Sequence, residues 1–164
     1  MGVNLSVKQF QNENLVSDVE GIMKETGLDY QYLELEITES AVMQEKELII
    51  KALHAFRKMG IHIAIDDFGE EYSSLKYLKQ LPVDRIKIPM TFIQGIDVSN
   101  TDEAITKAII VLAKSMGLDV IAEGVETKNQ LDFLSQQMCT DIQGYYYYKP
   151  MPAHEVEELL KKMI

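Results

Sequence analysis

Cysteine, tryptophan and long apolar runs are scarce or absent in this chain, and each absence excludes something. Of 164 residues one is cysteine, Cys139, and none is tryptophan. A lone cysteine cannot close an internal disulfide and cannot build a cysteine-based zinc cluster; it suits a reducing, cytoplasmic setting. Cys139 itself reads as a small buried residue. No apolar stretch approaches the roughly 20 residues of a membrane-spanning helix. Met1 to Gln9 show neither the basic start nor the apolar run of a secretory signal. Basic residues are also in deficit, 16 against 26 acidic ones, for a formal net charge of −10. Such a surface repels nucleic acid polymers and anionic membranes. A small phosphate ligand stays compatible if metal cations stand between it and the protein. His54, His62 and His154 are scattered without metal-ligand spacing. The methionines fall largely at helix-face positions and read as core filler.

What is present is a repeated unit. Short runs rich in Ile, Val, Leu and Tyr predict strands at Gly2–Ser6, Leu33–Thr38, His62–Asp67, Arg85–Met90, Val120–Gly124 and Asp141–Tyr148. Between them lie amphipathic helices, with predicted apolar faces Leu15-Val19-Ile22-Met23, Leu48-Ala52-Leu53-Phe56 and Ile105-Ile109-Leu112-Met116. Three helices stop at a glycine followed by an apolar residue, at Gly27-Leu28, Gly60-Ile61 and Gly117-Leu118. Repeated βα units imply parallel strands joined by right-handed crossovers, in an open doubly wound sheet or a β/α barrel. About six units are visible where a complete barrel has eight. No Gly/Ser-rich or Pro-rich linker divides the chain, so a single domain over residues 1–164 is expected.

The polar residues fall at the strand ends. The first run carries Asn4, the second Glu36 and Glu39, and the fourth Lys87; the third ends in Asp66 and Asp67, the fifth in Glu123 and Glu126, and the sixth carries Gln143. In parallel β/α folds the carboxyl ends of strands converge on one ligand-binding mouth. Carboxylates gathered there repel one another unless a cation neutralises them, and an all-oxygen set suits Mg²⁺ or Mn²⁺ better than zinc. Lys87 among those acids is either a structural counter-ion or a group that orients a water for phosphodiester hydrolysis. Singly, each has a plainer account. Glu36 and Glu39 could be salt-bridge partners, Asp66-Asp67 a helix N-cap pair, and Glu123 and Glu126 caps for a helix starting near Thr127. The run Tyr145–Tyr148 reads as packing in a strand that alternates faces.

At these residues the sequence resembles the EAL family of cyclic di-GMP phosphodiesterases. The matching motifs are Asn4-Leu5-Ser6; Glu36-Ile37-Thr38-Glu39-Ser40; Asp66-Asp67-Phe68-Gly69 with Tyr72-Ser73-Ser74-Leu75; Leu81-Pro82-Val83-Asp84-Arg85-Ile86-Lys87-Ile88; Ala122-Glu123-Gly124-Val125-Glu126-Thr127; and Gln143-Gly144-Tyr145-Tyr146 with Lys149-Pro150. The resemblance implies a partial TIM-type (β/α) barrel. It implies Asn4, Glu36, Asp66, Asp67 and Glu123 as metal ligands for Mg²⁺ or Mn²⁺, and Lys87, Glu123 and Gln143 as the catalytic set. It also implies Glu39 and Glu126 as supports of the loop after Asp67. The ligand would be cyclic di-GMP, opened at one phosphodiester to linear pGpG. A homodimer or swapped oligomer, and a sensory or GGDEF-type domain in the parent protein, are the partners it implies, and the cytoplasmic side of the cell the location.

Three departures from the family pattern bear on activity. The Glu-Ala-Leu segment that names the family is absent, so the domain is expected to be truncated at its N-terminus. Pro89 stands where the family usually has an aspartate, which removes a carboxylate and, in a strand, a backbone donor. Glu70-Glu71 replace a glycine-containing stretch, a costly change if the backbone there needs positive φ. Metal binding is therefore expected to be weak and hydrolysis slow or lost. The alternative is a non-catalytic module that binds cyclic di-GMP or a protein partner.

Overall fold

Two-residue alternation shapes the sheet more than uniform apolarity does. The computed structural model describes residues 1–44, 46–70 and 75–163. Glu71 and the Tyr72-Ser73-Ser74 part of the loop motif lie outside the described residues. In chain order the elements are β1 (Gly2–Asn4), α1 (Val7–Phe10), α2 (Leu15–Thr26), β2 (Glu34–Thr38), α3 (Glu39–Gln44), α4 (Lys46–Lys58), β3 (His62–Asp66), α5 (Leu75–Leu78), β4 (Arg85–Ile88), α6 (Met90–Gln94), α7 (Asn100–Ser115), β5 (Asp119–Glu123), α8 (Lys128–Gln136), β6 (Asp141–Gln143) and α9 (Ala153–Met163). The six strands are parallel and lie side by side in sequence order, a curled half-barrel with helices on its outer face. Strand order equal to chain order is what successive right-handed βα crossovers of one sense produce.

The outer face of the sheet carries Leu35 and Ile37, Ile63 and Ile65, Ile86 and Ile88, and Val120 and Ala122, all buried. Against them pack Ile49, Leu53 and Phe56 of α4, Ile109, Ile110 and Ala113 of α7, and Leu134 of α8. Side chains one residue out of phase point to the inner face. There the strands carry Glu34 and Glu36, Asp66, Arg85 and Lys87, Asp119 and Glu123, and Asp141 and Gln143. One fold thus uses an apolar period of two for its core and the complementary period for its chemistry.

The helical stops behave as their residues demand: Gly27, Gly60 and Gly117 have φ of 68°, 91° and 72°. The helix faces need correction. Ile22 is 58% exposed and Leu48 41% exposed. On α4 the buried stripe is Ile49-Leu53-Phe56, and one residue is about 100° around a helix, so Leu48 turns to solvent. Met116 likewise lies at the exposed end of its helix.

Five strands are shorter than expected: β2 and β3 by one residue each, β1 by two because Ser6 is the N-cap of α1, and β4 and β6 for the reasons that follow. β4 stops at Ile88 because Pro89 (φ −66°, ψ 152°) is the N-cap of α6 and carries no ladder position, so no strand donor is lost there. β6 stops at Gln143 rather than Tyr148. Gly144 brings the chain so close to Val125 that an added Cβ would stand 2.2 Å from the Val125 carbonyl oxygen. Tyr146 then donates its N–H to that carbonyl, and the following residues turn away. Tyr145, Tyr147 and Tyr148 are consequently exposed, and only Tyr146 packs on the core.

Candidate active site

Lys87 is the centre of the mouth. β4 places it on the inner face, 4% exposed, with its ammonium 2.5 Å from Glu36 Oε2, 2.8 Å from Glu123 Oε1 and 3.1 Å from Asp66 Oδ1. These carboxylates come from β2, β5 and β3. Burial pushes the lysine toward its neutral form, but the hydrogen bonds it donates to Glu123, Glu36 and Asp66 outweigh it and hold the ammonium well above its ordinary range. Lys87 therefore acts as a charged donor.

Asp67 and Glu39 shape the loop beyond β3. Asp67 has φ 53°, a left-handed conformation that a short polar side chain tolerates better than most. Its N–H donates to Asp66 Oδ1 at 3.1 Å, so the Asp66-Asp67 pair closes a turn at the strand end and does not cap a helix. Phe68 N–H donates to the Lys87 carbonyl, and Gly69 N–H donates to Glu39 Oε2 at 3.2 Å. Among the described residues the non-glycine positive φ values fall at Asp67, Asp97 and Met138, so Glu70 carries no such strain. Its Oε1 accepts a hydrogen bond from Thr91 Oγ1 at 2.8 Å.

Asp66, Asp67 and Glu123 each offer an oxygen, all within 4.8 Å of one another. Burial, with Asp66 and Glu70 nearby, raises the Asp67 carboxyl above its ordinary value. Burial also raises Glu123, although Lys87 pulls it back. With Glu36, four carboxylates stand here around the Lys87 ammonium. Oxygen donors with an uncompensated negative charge fit a hard divalent cation.

The remaining expected residues are placed as follows. Asn4 is exposed and aligns with Glu36 across β1 and β2. Gln143 aligns with Glu123 across β5 and β6. Glu126 is exposed; its N–H and that of Thr127 donate to Gln130 Oε1, and Thr127 is the true N-cap of α8. Beside Glu123 and Gln143 opens a cavity of about 670 Å³, lined also by Glu126, Tyr145, Tyr148 and Lys149.

Sequence reasoning missed a second cluster below this one. Arg85, two residues before Lys87, pairs with Glu34 (3.2 Å), Asp141 (3.2 Å) and Asp119 (4.0 Å). The period of two in Glu34/Glu36, Arg85/Lys87 and Asp141/Gln143 was the available signal.

Cys139, just after α8, is buried with its thiol toward the Val120 and Asp141 carbonyls, and burial pushes that thiol up to about 11, so it is an inert packing residue. Among the described residues no helix is long and apolar enough to cross a membrane.

Comparison with known proteins adds three findings. The EAL domain family model matches residues 1–150. The cyclic di-GMP phosphodiesterase NbdA of Pseudomonas aeruginosa is 40% identical over 161 residues, covering 98% of this chain and 21% of that protein; the chain thus spans about a fifth of the length of the curated relatives it matches. Among solved structures, the PaMucR phosphodiesterase in complex with c-di-GMP superposes with a TM-score of 0.90 at 40% identity, covering 94% of this chain and 63% of that one. The manganese/cy-diGMP complex of Klebsiella pneumoniae BlrP1 superposes with a TM-score of 0.84 at 29% identity, covering 91% of this chain and 38% of that one.

Proposed function

The chain belongs to the EAL domain family, and we propose that its mouth binds cyclic di-GMP with the help of Mg²⁺ or Mn²⁺ and hydrolyses it only weakly. The observation that carries the reading is the Lys87 ammonium ringed by Glu36, Asp66 and Glu123, beside the Asp66-Asp67-Glu123 oxygen cluster. Glu36, Asp66, Asp67 and Glu123, with Asn4 at the adjacent strand end, would hold the cations. Bound cations would supply Lewis acidity toward the phosphodiester oxygens and ease deprotonation of water.

The chain's own groups would do the rest. Lys87, kept protonated by its carboxylates, would orient the attacking water by donating to it. Gln143, aligned with Glu123, would hold the water or the substrate. Glu39, accepting from Gly69, would fix the loop that presents Asp67. Glu126 would support the same loop from β5's end. Tyr145, Tyr148 and Lys149 along the neighbouring cavity would meet a base and a phosphate. The net reaction adds water across one phosphodiester of the ring and gives linear pGpG.

Weak turnover follows from what surrounds this set. Pro89 is buried at the N-cap of α6 and offers no carboxylate. The missing carboxylate also favours the alternative, binding without turnover.

Equilibrium dialysis of cyclic di-GMP with and without Mn²⁺, alongside chromatographic detection of pGpG, tests this. Mn²⁺-dependent binding that Glu36→Ala and Asp66→Ala abolish is expected, with slow conversion. Absence of any binding in Mn²⁺ overturns the reading.

A further inference from the structure

We infer that Arg85 is a positioning residue: from the floor of the half-barrel it sets the sheet's curl, and through that curl the spacing of the metal-ligating carboxylates at the mouth. The inference rests on the functional reading above.

Arg85 opens β4, and its partners open their own strands: Glu34 on β2, Asp119 on β5 and Asp141 on β6. One Nη meets Glu34 and the other meets Asp141, while Asp119 lies at the outer limit of contact. β2 and β6 each stand two strands away from β4. One guanidinium reaches both only because the sheet is curled. Arg85 crosses β3 at Ala64, its aligned neighbour, whose small side chain leaves the passage to Glu34 open.

The two tiers share the same strands. Glu36 lies two residues beyond Glu34, Lys87 two beyond Arg85, Gln143 two beyond Asp141 and Glu123 four beyond Asp119. Two residues of strand separate floor and mouth by about 6–7 Å, so a shift at the floor reaches the mouth nearly undiminished. Without the cation, Glu34, Asp119 and Asp141 face one another as like charges. Their repulsion relaxes when the sheet flattens, and flattening draws Glu36 and Glu123 apart. Lys87 is a poor substitute for this restraint. Its three partners are themselves the groups that would turn to a metal ion, whereas those of Arg85 are outside that ligand set. The planar fork of arginine also fixes two directions at once, which an ammonium does not.

The test uses Arg85→Met, Arg85→Lys and the triple variant Glu34→Gln/Arg85→Met/Asp141→Asn in the full chain. One readout is Mn²⁺ affinity, from the electron paramagnetic resonance signal of free Mn²⁺. The other is acetylation of Lys87 relative to exposed Lys24 and Lys161, followed by mass spectrometry without added metal. Arg85→Met is expected to weaken Mn²⁺ binding about tenfold, the lower end for outer-sphere changes at metal sites, and to raise Lys87 labelling. Arg85→Lys should recover little. The triple variant should recover most of both, because the repulsion has gone with the cation. If Arg85→Met does not fold, Glu34→Gln and Asp141→Asn each remove one arm and should show smaller shifts of the same sign. Folded variants with lowered thermal stability but unchanged Mn²⁺ affinity and Lys87 labelling overturn the inference. Failure of the unaltered chain to bind Mn²⁺ overturns the metal reading instead, and labelling alone then decides the role of Arg85.

Discussion

The Lys87 ammonium pairs with Glu36 at 2.5 Å across an intervening strand, since β3 lies between β2 and β4. The pair therefore staples three strands at the mouth, and Glu123 extends the staple to β5. Lys87→Met would leave Glu36, Asp66 and Glu123 crowded without a counter-charge. Breaking a buried ion pair on one side costs about 3–5 kcal/mol. Thermal denaturation should show a large loss of stability, and added Mn²⁺ should recover more of it in the variant than in the unaltered chain. A variant as stable as the unaltered chain, or one indifferent to Mn²⁺, would count against the site.

Acid should stabilise the chain before it unfolds it. Asp67 and Glu123 have folded-state values raised above 3.8 and 4.5, chiefly by burial. A folded state that binds protons more tightly than the unfolded one gains stability as pH falls. Their contribution is full below those ordinary values and is lost as pH rises through the raised ones. The melting temperature should therefore climb as pH is lowered from neutrality toward the carboxylate range. Asp67→Asn and Glu123→Gln should each flatten that climb, and Glu70→Gln should reduce the part due to Asp67. A melting temperature that falls monotonically over this window contradicts the assignment. Lys87 has the same sign at the other end of the scale: its contribution is present below 10.5 and is lost only in stronger alkali.

Loop support by Glu39 can be separated from charge. Glu39 Oε2 accepts from Gly69 N–H, and Gly69 follows the Asp66-Asp67-Phe68 turn directly. Glu39→Gln keeps an acceptor oxygen, whereas Glu39→Ala keeps none. Calorimetric titration should find Mn²⁺ binding weakened by Glu39→Ala and largely retained by Glu39→Gln. Equal weakening in both would point to charge in place of geometry.

Residues already visible in the sequence give the strands and the mouth. Ile63 and Ile65, or Ile86 and Ile88, announce buried strands, and the polar residue closing each run announces which end matters. β6 is shorter than its sequence suggests because tyrosine favours strands wherever it stands. The close approach of Gly144 to Val125, which ends that strand, is a tertiary fact. The Arg85 tier escaped for a related reason. Its partners Glu34 and Asp141 are 51 and 56 residues away in sequence, so the period of two marks the inner face of each strand but not which charges meet across the sheet. Leu48 and Ile22 fall at the margins of apolar helix stripes, where periodicity alone does not decide between core and solvent.

Pro89→Asp bears on the cause of weak turnover. Pro89 already sits at a helix N-cap with extended backbone, a position aspartate favours, so the substitution should fold. It would return a carboxylate next to Lys87's strand end and should tighten Mn²⁺ binding. Conversion of cyclic di-GMP to pGpG should rise much less. The restored carboxylate must still be placed correctly against the cations, and misplacement of reacting groups by about 1 Å can cost about 100-fold in rate. The assay compares the unaltered chain, Pro89→Asp and Lys87→Ala in Mn²⁺. A rise approaching about 100-fold on Pro89→Asp alone would place the whole deficit at position 89. Brisk turnover by the unaltered chain that Lys87→Ala abolishes would show that the half-barrel as it stands already holds water and phosphate well enough, and that the lost carboxylate costs little.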